Sequence, residues 1–99
     1  GAGFWLPHPI DVTIGSAVTI GKNATIFNGV TIGGRRVDPK EALMPRLGDN
    51  VVIYTGAKVI GKITVGDNSA VGALSLCNKD IPANSIMYGI PPNVTIKPK

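Results

Sequence analysis

Two side chains of this 99-residue chain could serve as a base or a nucleophile, and each residue type occurs once: His8 and Cys77. An unperturbed imidazole titrates near 6.5, so it can take a proton from a hydroxyl at neutral pH. A thiol becomes a nucleophile only where its surroundings favour the thiolate. A single cysteine rules out an intramolecular disulfide. One histidine and one cysteine cannot build a typical zinc site, so no metal is expected. No P-loop or Rossmann glycine fingerprint is present. The net charge is +4, and Arg35-Arg36 is the only adjacent pair of cations. Aromatics are 5% of the chain and do not interleave with the basic residues, which speaks against nucleic-acid binding. A small anionic ligand, such as a phosphorylated cofactor, fits the charge.

The frame that must hold these residues is written as a six-residue repeat. Ile14, Ile20, Ile26 and Ile32 are six apart, and the beat resumes at Leu47, Ile53, Val59, Val65, Val71 and Cys77. Glycine often follows the aliphatic slot, and a small or aliphatic residue sits two places before it. No helix has this period. A hexapeptide β-solenoid does, because each hexad forms one flat side of a coil and its aliphatic residue fills the interior. The β-branched triplets Val12-Thr13-Ile14, Val18-Thr19-Ile20 and Val30-Thr31-Ile32 suit short strands. Gly-Lys-Asn at 21–23 and Gly-Asp-Asn at 48–50 and 66–68 supply residues that tolerate positive φ, as sharp corners require. Cys77 occupies an interior slot, where cysteine acts as a small hydrophobe. His8 lies six before Ile14 and so falls on an aliphatic slot, but Pro7 and Pro9 suggest a kink that swings it outwards.

A single domain is expected over residues 1–99. Residues 1–9 are an irregular lead-in, 10–34 and 47–81 are two blocks of coils, 35–46 is a loop, and 82–99 is a tail whose four prolines end the coil. The step from Ile32 to Leu47 is fifteen, which breaks the clock. In repeat proteins such insertions often map to the binding face. A brief helix is conceivable only at Pro39 to Leu43. The opening Gly1-Ala2-Gly3 lacks a methionine, which fits a fragment of a longer protein without its N-terminal region. No stretch approaches the roughly 18 apolar residues of a membrane span, so none is expected, and the expected location is cytoplasmic. Aliphatics such as Val18, Ile60 and Leu74 would be left on coil faces, which a monomer rarely leaves uncovered.

The hexads, together with Leu6-Pro7-His8-Pro9, Val30-Thr31-Ile32-Gly33-Gly34, Gly56-Ala57-Lys58-Val59-Ile60-Gly61 and Gly66-Asp67-Asn68, resemble the serine acetyltransferase-like branch of the hexapeptide-repeat acyltransferases. Lys79-Asp80-Ile81-Pro82 and Gly89-Ile90-Pro91-Pro92 are similar to its terminal motifs. The resemblance implies an all-β fold, a left-handed parallel β-helix, against the usual right-handed crossover rule. It implies a homotrimer with active sites between subunits, acetyl-CoA as co-substrate and a hydroxyl as acceptor. It implies that His8 is the general base, removing the hydroxyl proton as oxygen attacks the thioester carbonyl. Donor binding would then rest on backbone groups of the flat coil sides. Gly56, Ala57 and Gly72 would leave room for the pantetheine arm, and Ser75 would add a hydroxyl. Lys58, Lys62, Lys79 and Lys97 are the candidates for the cofactor phosphates. Arg35, Arg36, Leu43 and Met44 are the candidates for substrate binding.

The chain departs from the family in two places. Serine acetyltransferases carry Asp-His where this chain has Pro7-His8, and Arg-His-Pro where it has Leu43-Met44-Pro45. An apolar pair cannot hold a carboxylate. The expected function is therefore an acetyl-CoA-dependent O-acetyltransferase acting on a sugar or another small hydroxyl compound. The alternatives are a true serine O-acetyltransferase and a non-catalytic trimeric β-helix scaffold.

Overall fold

The computed structural model describes residues 12–15, 17–38 and 41–99, with 35–38 and 41–43 described by backbone alone. The hexads, mostly through their β-branched residues, form strands only two or three residues long, because a glycine or a corner follows each one. In order these are β1 (Thr13–Ile14), β2 (Thr19–Ile20), β3 (Thr25–Ile26), β4 (Thr31–Gly33), β7 (Arg46–Leu47), β8 (Val52–Ile53), β9 (Lys58–Ile60), β10 (Thr64–Val65), β11 (Ala70–Val71) and β12 (Leu76–Cys77). Between β4 and β7 lie β5 (Arg35–Asp38) and β6 (Glu41–Leu43), and β13 (Ser85–Ile90) and β14 (Asn93–Pro98) close the chain. Among the described residues there is no helix.

The strands stack into three parallel faces, and successive strands visit the faces in turn. The first face is β1-β4-β9-β12, the second β2-β7-β10, and the third β3-β8-β11-β13. This is a left-handed parallel β-helix. The sixfold clock becomes three interior columns. Ile14, Ile32, Val59 and Cys77 stack beneath the first face. Ile20, Leu47, Val65 and Ile81 stack beneath the second. Ile26, Ile53, Val71 and Met87 stack beneath the third. All but Ile14 are buried, and Ile14 packs on the core from the first coil. The small residues two places earlier, including Ala24, Val51, Ala57 and Ser69, are buried as well and fill the corners of the prism.

Corners between the second and third faces are tight. Asn23, Asn50, Asn68 and Asn84 turn them at φ values of 57 to 59°. Asparagine reaches this left-handed region at little cost, because its short side chain bonds locally. Gly66 lies against the next coil, where a Cβ would fall 2.7 Å from the Ala83 Cα.

Two parts of the chain differ from the sequence expectation. The protruding loop expected at 35–46 takes the form of a hairpin at its described positions; Pro39 and Lys40, where the sequence leaves room for a brief helix, lie outside the described residues. Arg35 pairs with Leu43 and Arg36 with Ala42, antiparallel. The tail expected at 82–99 does not end the coil at Pro82. The corner between Cys77 and Ile81 is two residues shorter than the clock requires, so the interior slots fall at Ile81 and Met87, and Val71 pairs with Met87. Strand β14 then folds back antiparallel on β13, and Val94 and Ile96 pack against the core.

Candidate functional site

Outward-facing residues also form columns, because parallel register keeps equivalent positions adjacent. On the second face the outward column reads Thr19, Arg46, Thr64 and Asp80. Thr19 pairs with Arg46 and Arg46 with Thr64. The bridge between Val65 and Ile81 sets Asp80 beside Thr64. One carboxylate oxygen of Asp80 accepts the Thr64 N–H at 2.9 Å. All four residues line a groove of about 490 Å³, with Met44 and Pro45 where the hairpin rejoins the coil and Lys62 at the corner leading into β10. Pro45 is buried and fixes that return. Met44 is half-buried, and its sulfur would lie 3.3 Å from a Cβ at Gly15, so the thioether packs on the first coil.

The structure gathers only some of the sequence candidates at this groove. His8 lies outside the described residues. Arg35, Arg36 and Leu43 sit on the hairpin that leaves between β4 and β7. Met44 and Lys62 line the groove, and Lys79, exposed, precedes Asp80 at the same edge. Lys58 projects from the first face, exposed. Lys97 is on β14, with its ammonium 5.6 Å from the Tyr88 ring centroid.

Gly56, Ala57, Gly72 and Ser75 lie at a different edge, between the third and first faces. There the polar groups are already engaged. Gly56 donates its N–H to Asn28, Ala57 to Tyr54 and Gly72 to Met87, at 2.7 to 3.1 Å. The buried Ser75 hydroxyl accepts the Gly89 N–H at 2.9 Å. The space above Gly56 holds the Leu74 side chain, and that beside Gly72 holds the Tyr88 Cβ. Of the N–H and C=O groups that the sequence reading expects on the flat coil sides, the N–H groups of Gly56, Ala57 and Gly72 are taken up within the β-helix. Each coil satisfies its neighbour's backbone groups, as any parallel ladder must.

Arg46, Thr19, Thr64 and Asp80 were not among the sequence candidates. Thr19, Arg46 and Thr64 each stand one place before an interior slot, at Ile20, Leu47 and Val65. Following that position on every third hexad would have aligned them.

Cys77 is fully buried and its S–H donates to the Lys79 carbonyl at 3.4 Å. Burial pushes the thiol up to about 11, so at neutral pH it stays protonated and takes no nucleophilic role. Among the described residues no group of His, Cys, Asp and Glu could hold a metal ion. No helix among them is long and apolar enough to cross a membrane.

No family model matches the chain. A serine acetyltransferase of Bacillus pumilus is 42% identical over 97 residues, covering 98% of this chain and 44% of that protein. The chain therefore spans less than half the length of the curated relatives it matches. The crystal structure of Neisseria gonorrhoeae serine acetyltransferase in complex with serine matches 97% of this chain and 37% of its own, at a TM-score of 0.81 and 31% identity. That of Brucella abortus serine acetyltransferase in complex with coenzyme A matches 97% of this chain and 37% of its own, at a TM-score of 0.87 and 30% identity.

Proposed function

The chain carries the β-helix of the serine acetyltransferase-like branch of the hexapeptide-repeat acyltransferases, and from that premise we propose that it is an acetyl-CoA-dependent O-acetyltransferase with serine as acceptor. One observation carries the reading: likeness to enzymes named for serine runs through 98% of the chain, hexads and terminal motifs alike. That continuous likeness outweighs the sugar acceptor inferred from Pro7 and from Leu43-Met44. The sugar reading keeps two supports, Pro7 in place of the family's aspartate and the apolar Met44 thioether packed toward Gly15 in place of its histidine.

In the proposed reaction the His8 imidazole takes the proton of the acceptor hydroxyl. The hydroxyl oxygen forms a bond to the thioester carbonyl carbon. The carbon–sulfur bond then breaks, and coenzyme A leaves with the electron pair. A positioned base of this kind contributes typically ~10²–10⁴-fold. Of the four lysines proposed for the cofactor phosphates, Lys62 lines the groove and Lys79 precedes Asp80 at its edge. Lys58 lies on the first face and Lys97 on β14. We further propose a homotrimer in the cytoplasm. Leu74 and Ile90, 71% and 60% exposed, are the large apolar side chains most in need of cover, while Val18 and Ile60 are half-buried.

The test is thiol release from acetyl-CoA across a panel of amino acids and sugars. Saturable release with serine, at a kcat/KM above that of every sugar, is expected. A sugar preferred over serine returns the assignment to the sugar reading. His8→Ala should lose at least ~10²-fold in turnover while keeping the wild-type unfolding midpoint. Retention of a tenth of the turnover would remove His8 from the role.

A further inference from the structure

We propose that Arg46, Thr64 and Asp80 recognise the charged ends of an amino-acid acceptor: Arg46 its carboxylate, Asp80 its ammonium, with Thr64 between them. The inference rests on the reading of the acceptor as serine. It assigns recognition to residues other than the hairpin pair Leu43-Met44.

The argument begins with register. Arg46, Thr64 and Asp80 are outward neighbours on three successive coils of the second face. Adjacent strands lie about 4.8 Å apart, so the opposite charges start about 10 Å apart with a threonine hydroxyl between them. A free amino acid carries the complementary charges on one carbon. Lodged over Thr64, it offers its carboxylate toward Arg46 and its ammonium toward Asp80. The Arg46 side chain is long enough to lean over the column, and its planar fork suits a carboxylate.

Asp80 is already oriented for this task. One oxygen accepts the Thr64 N–H at 2.9 Å, which turns the carboxylate toward the groove's middle strand. An ionised carboxylate has acceptor sites on both oxygens, so capacity remains for an ammonium. Lys62, two residues before Thr64, lines the same groove and adds to its positive charge. A neutral sugar would cover the same charges without pairing them, and unpaired covered charges are costly. A site built to pair a ligand's polar groups rejects the analogue that lacks one of them.

Three ligands of matched size separate the contributions: serine, glycerate (hydroxyl in place of ammonium) and ethanolamine (no carboxylate). Each is titrated into the protein while backbone amide resonances are followed, with thiol release measured in parallel. The Thr64 amide is the reporter, since its proton is held by Asp80. Serine should shift the Thr64 and Arg46 amides and bind more tightly than either analogue. Asp80→Asn keeps an acceptor for the Thr64 N–H and removes the charge. It should weaken serine about tenfold or more and make serine and glycerate bind alike. Arg46→Gln should make serine and ethanolamine bind alike. Serine binding that leaves both amides unmoved, or variants that keep the wild-type ranking, overturns the proposal. Serine binding at these amides with no thiol release would leave the recognition column standing and overturn the acetyl-transfer reading instead.

Discussion

Two edges of the same prism treat polar residues in opposite ways. At the edge between the second and third faces, polar groups bind one another. Asn50 donates its amide to Asn68 at 3.0 Å, and Asn68 donates to Asn84 at 3.1 Å. Asp67 accepts the Asp49 N–H at 2.7 Å, and Asp49 accepts the Lys22 N–H at 2.8 Å. On the second face, Thr19, Arg46, Thr64 and Asp80, with Lys62 at the corner, line a groove in which, among the described residues, one Asp80 oxygen alone is engaged, by the Thr64 N–H. Corner asparagines are therefore structural, spent on closing each coil. Groove residues keep their capacity for a ligand. The comparison teaches that polarity alone does not mark a site; what matters is whether the fold has already used it. At the edge between the third and first faces, the Gly56 and Gly72 N–H groups and the Ser75 hydroxyl likewise bond within the β-helix.

The largest effect should come from breaking the frame beneath both edges. Ile53 is fully buried in the third-face column between Ile26 and Val71. Ile53→Ala should lower stability by about 2–5 kcal/mol in chemical denaturation, since coils on both sides lose contacts and a cavity remains. A loss under about 1 kcal/mol would mean that the column collapses around the gap, contrary to a packed interior.

A smaller effect should separate the edges. Asn68→Ala removes two amide hydrogen bonds and puts a Cβ residue without a local side-chain bond at φ 59°. The expected loss is about 2 kcal/mol, and Asn68→Gly should recover the part due to φ. Neither substitution should alter the KM for the acceptor. A changed KM would join the two edges into one site.

The smallest expected effect is a gain. Leu74 turns a corner at φ 59° with 71% of its surface exposed, where Gly56 turns the equivalent corner one coil earlier at φ 72°. Leu74→Gly relieves left-handed strain worth about 1 kcal/mol or more, so the unfolding midpoint should rise slightly. A lower midpoint would show that the leucine's packing over Gly56, or its cover in the proposed trimer, matters more than its backbone cost.

The interior was legible in the sequence because each coil side repeats at one period. The slots from Ile20 to Cys77 and most of the residues two places before them are buried as the clock requires, and the Gly-Asp-Asn corners turn at positive φ. Met87 was missed because the corner between Cys77 and Ile81 is two residues short, and periodicity cannot foresee a change of phase. The hairpin was missed because its pairing is antiparallel and local, with no hexad to announce it. The groove was harder still. Arg46, Thr64 and Asp80 are separated by 18 and 16 residues, and only the true register shows that they touch one groove. A single charged residue per coil leaves no pattern within any one hexad.

Serine-dependent thiol release from acetyl-CoA, compared between the wild-type protein and Arg46→Gln at matched stability, tests the division between the edges most directly. The account predicts saturable release by the wild type, and at least about a tenfold lower kcat/KM for Arg46→Gln with the unfolding midpoint unchanged. Equal kcat/KM values in the two proteins, or no serine-dependent release by the wild type, would contradict it.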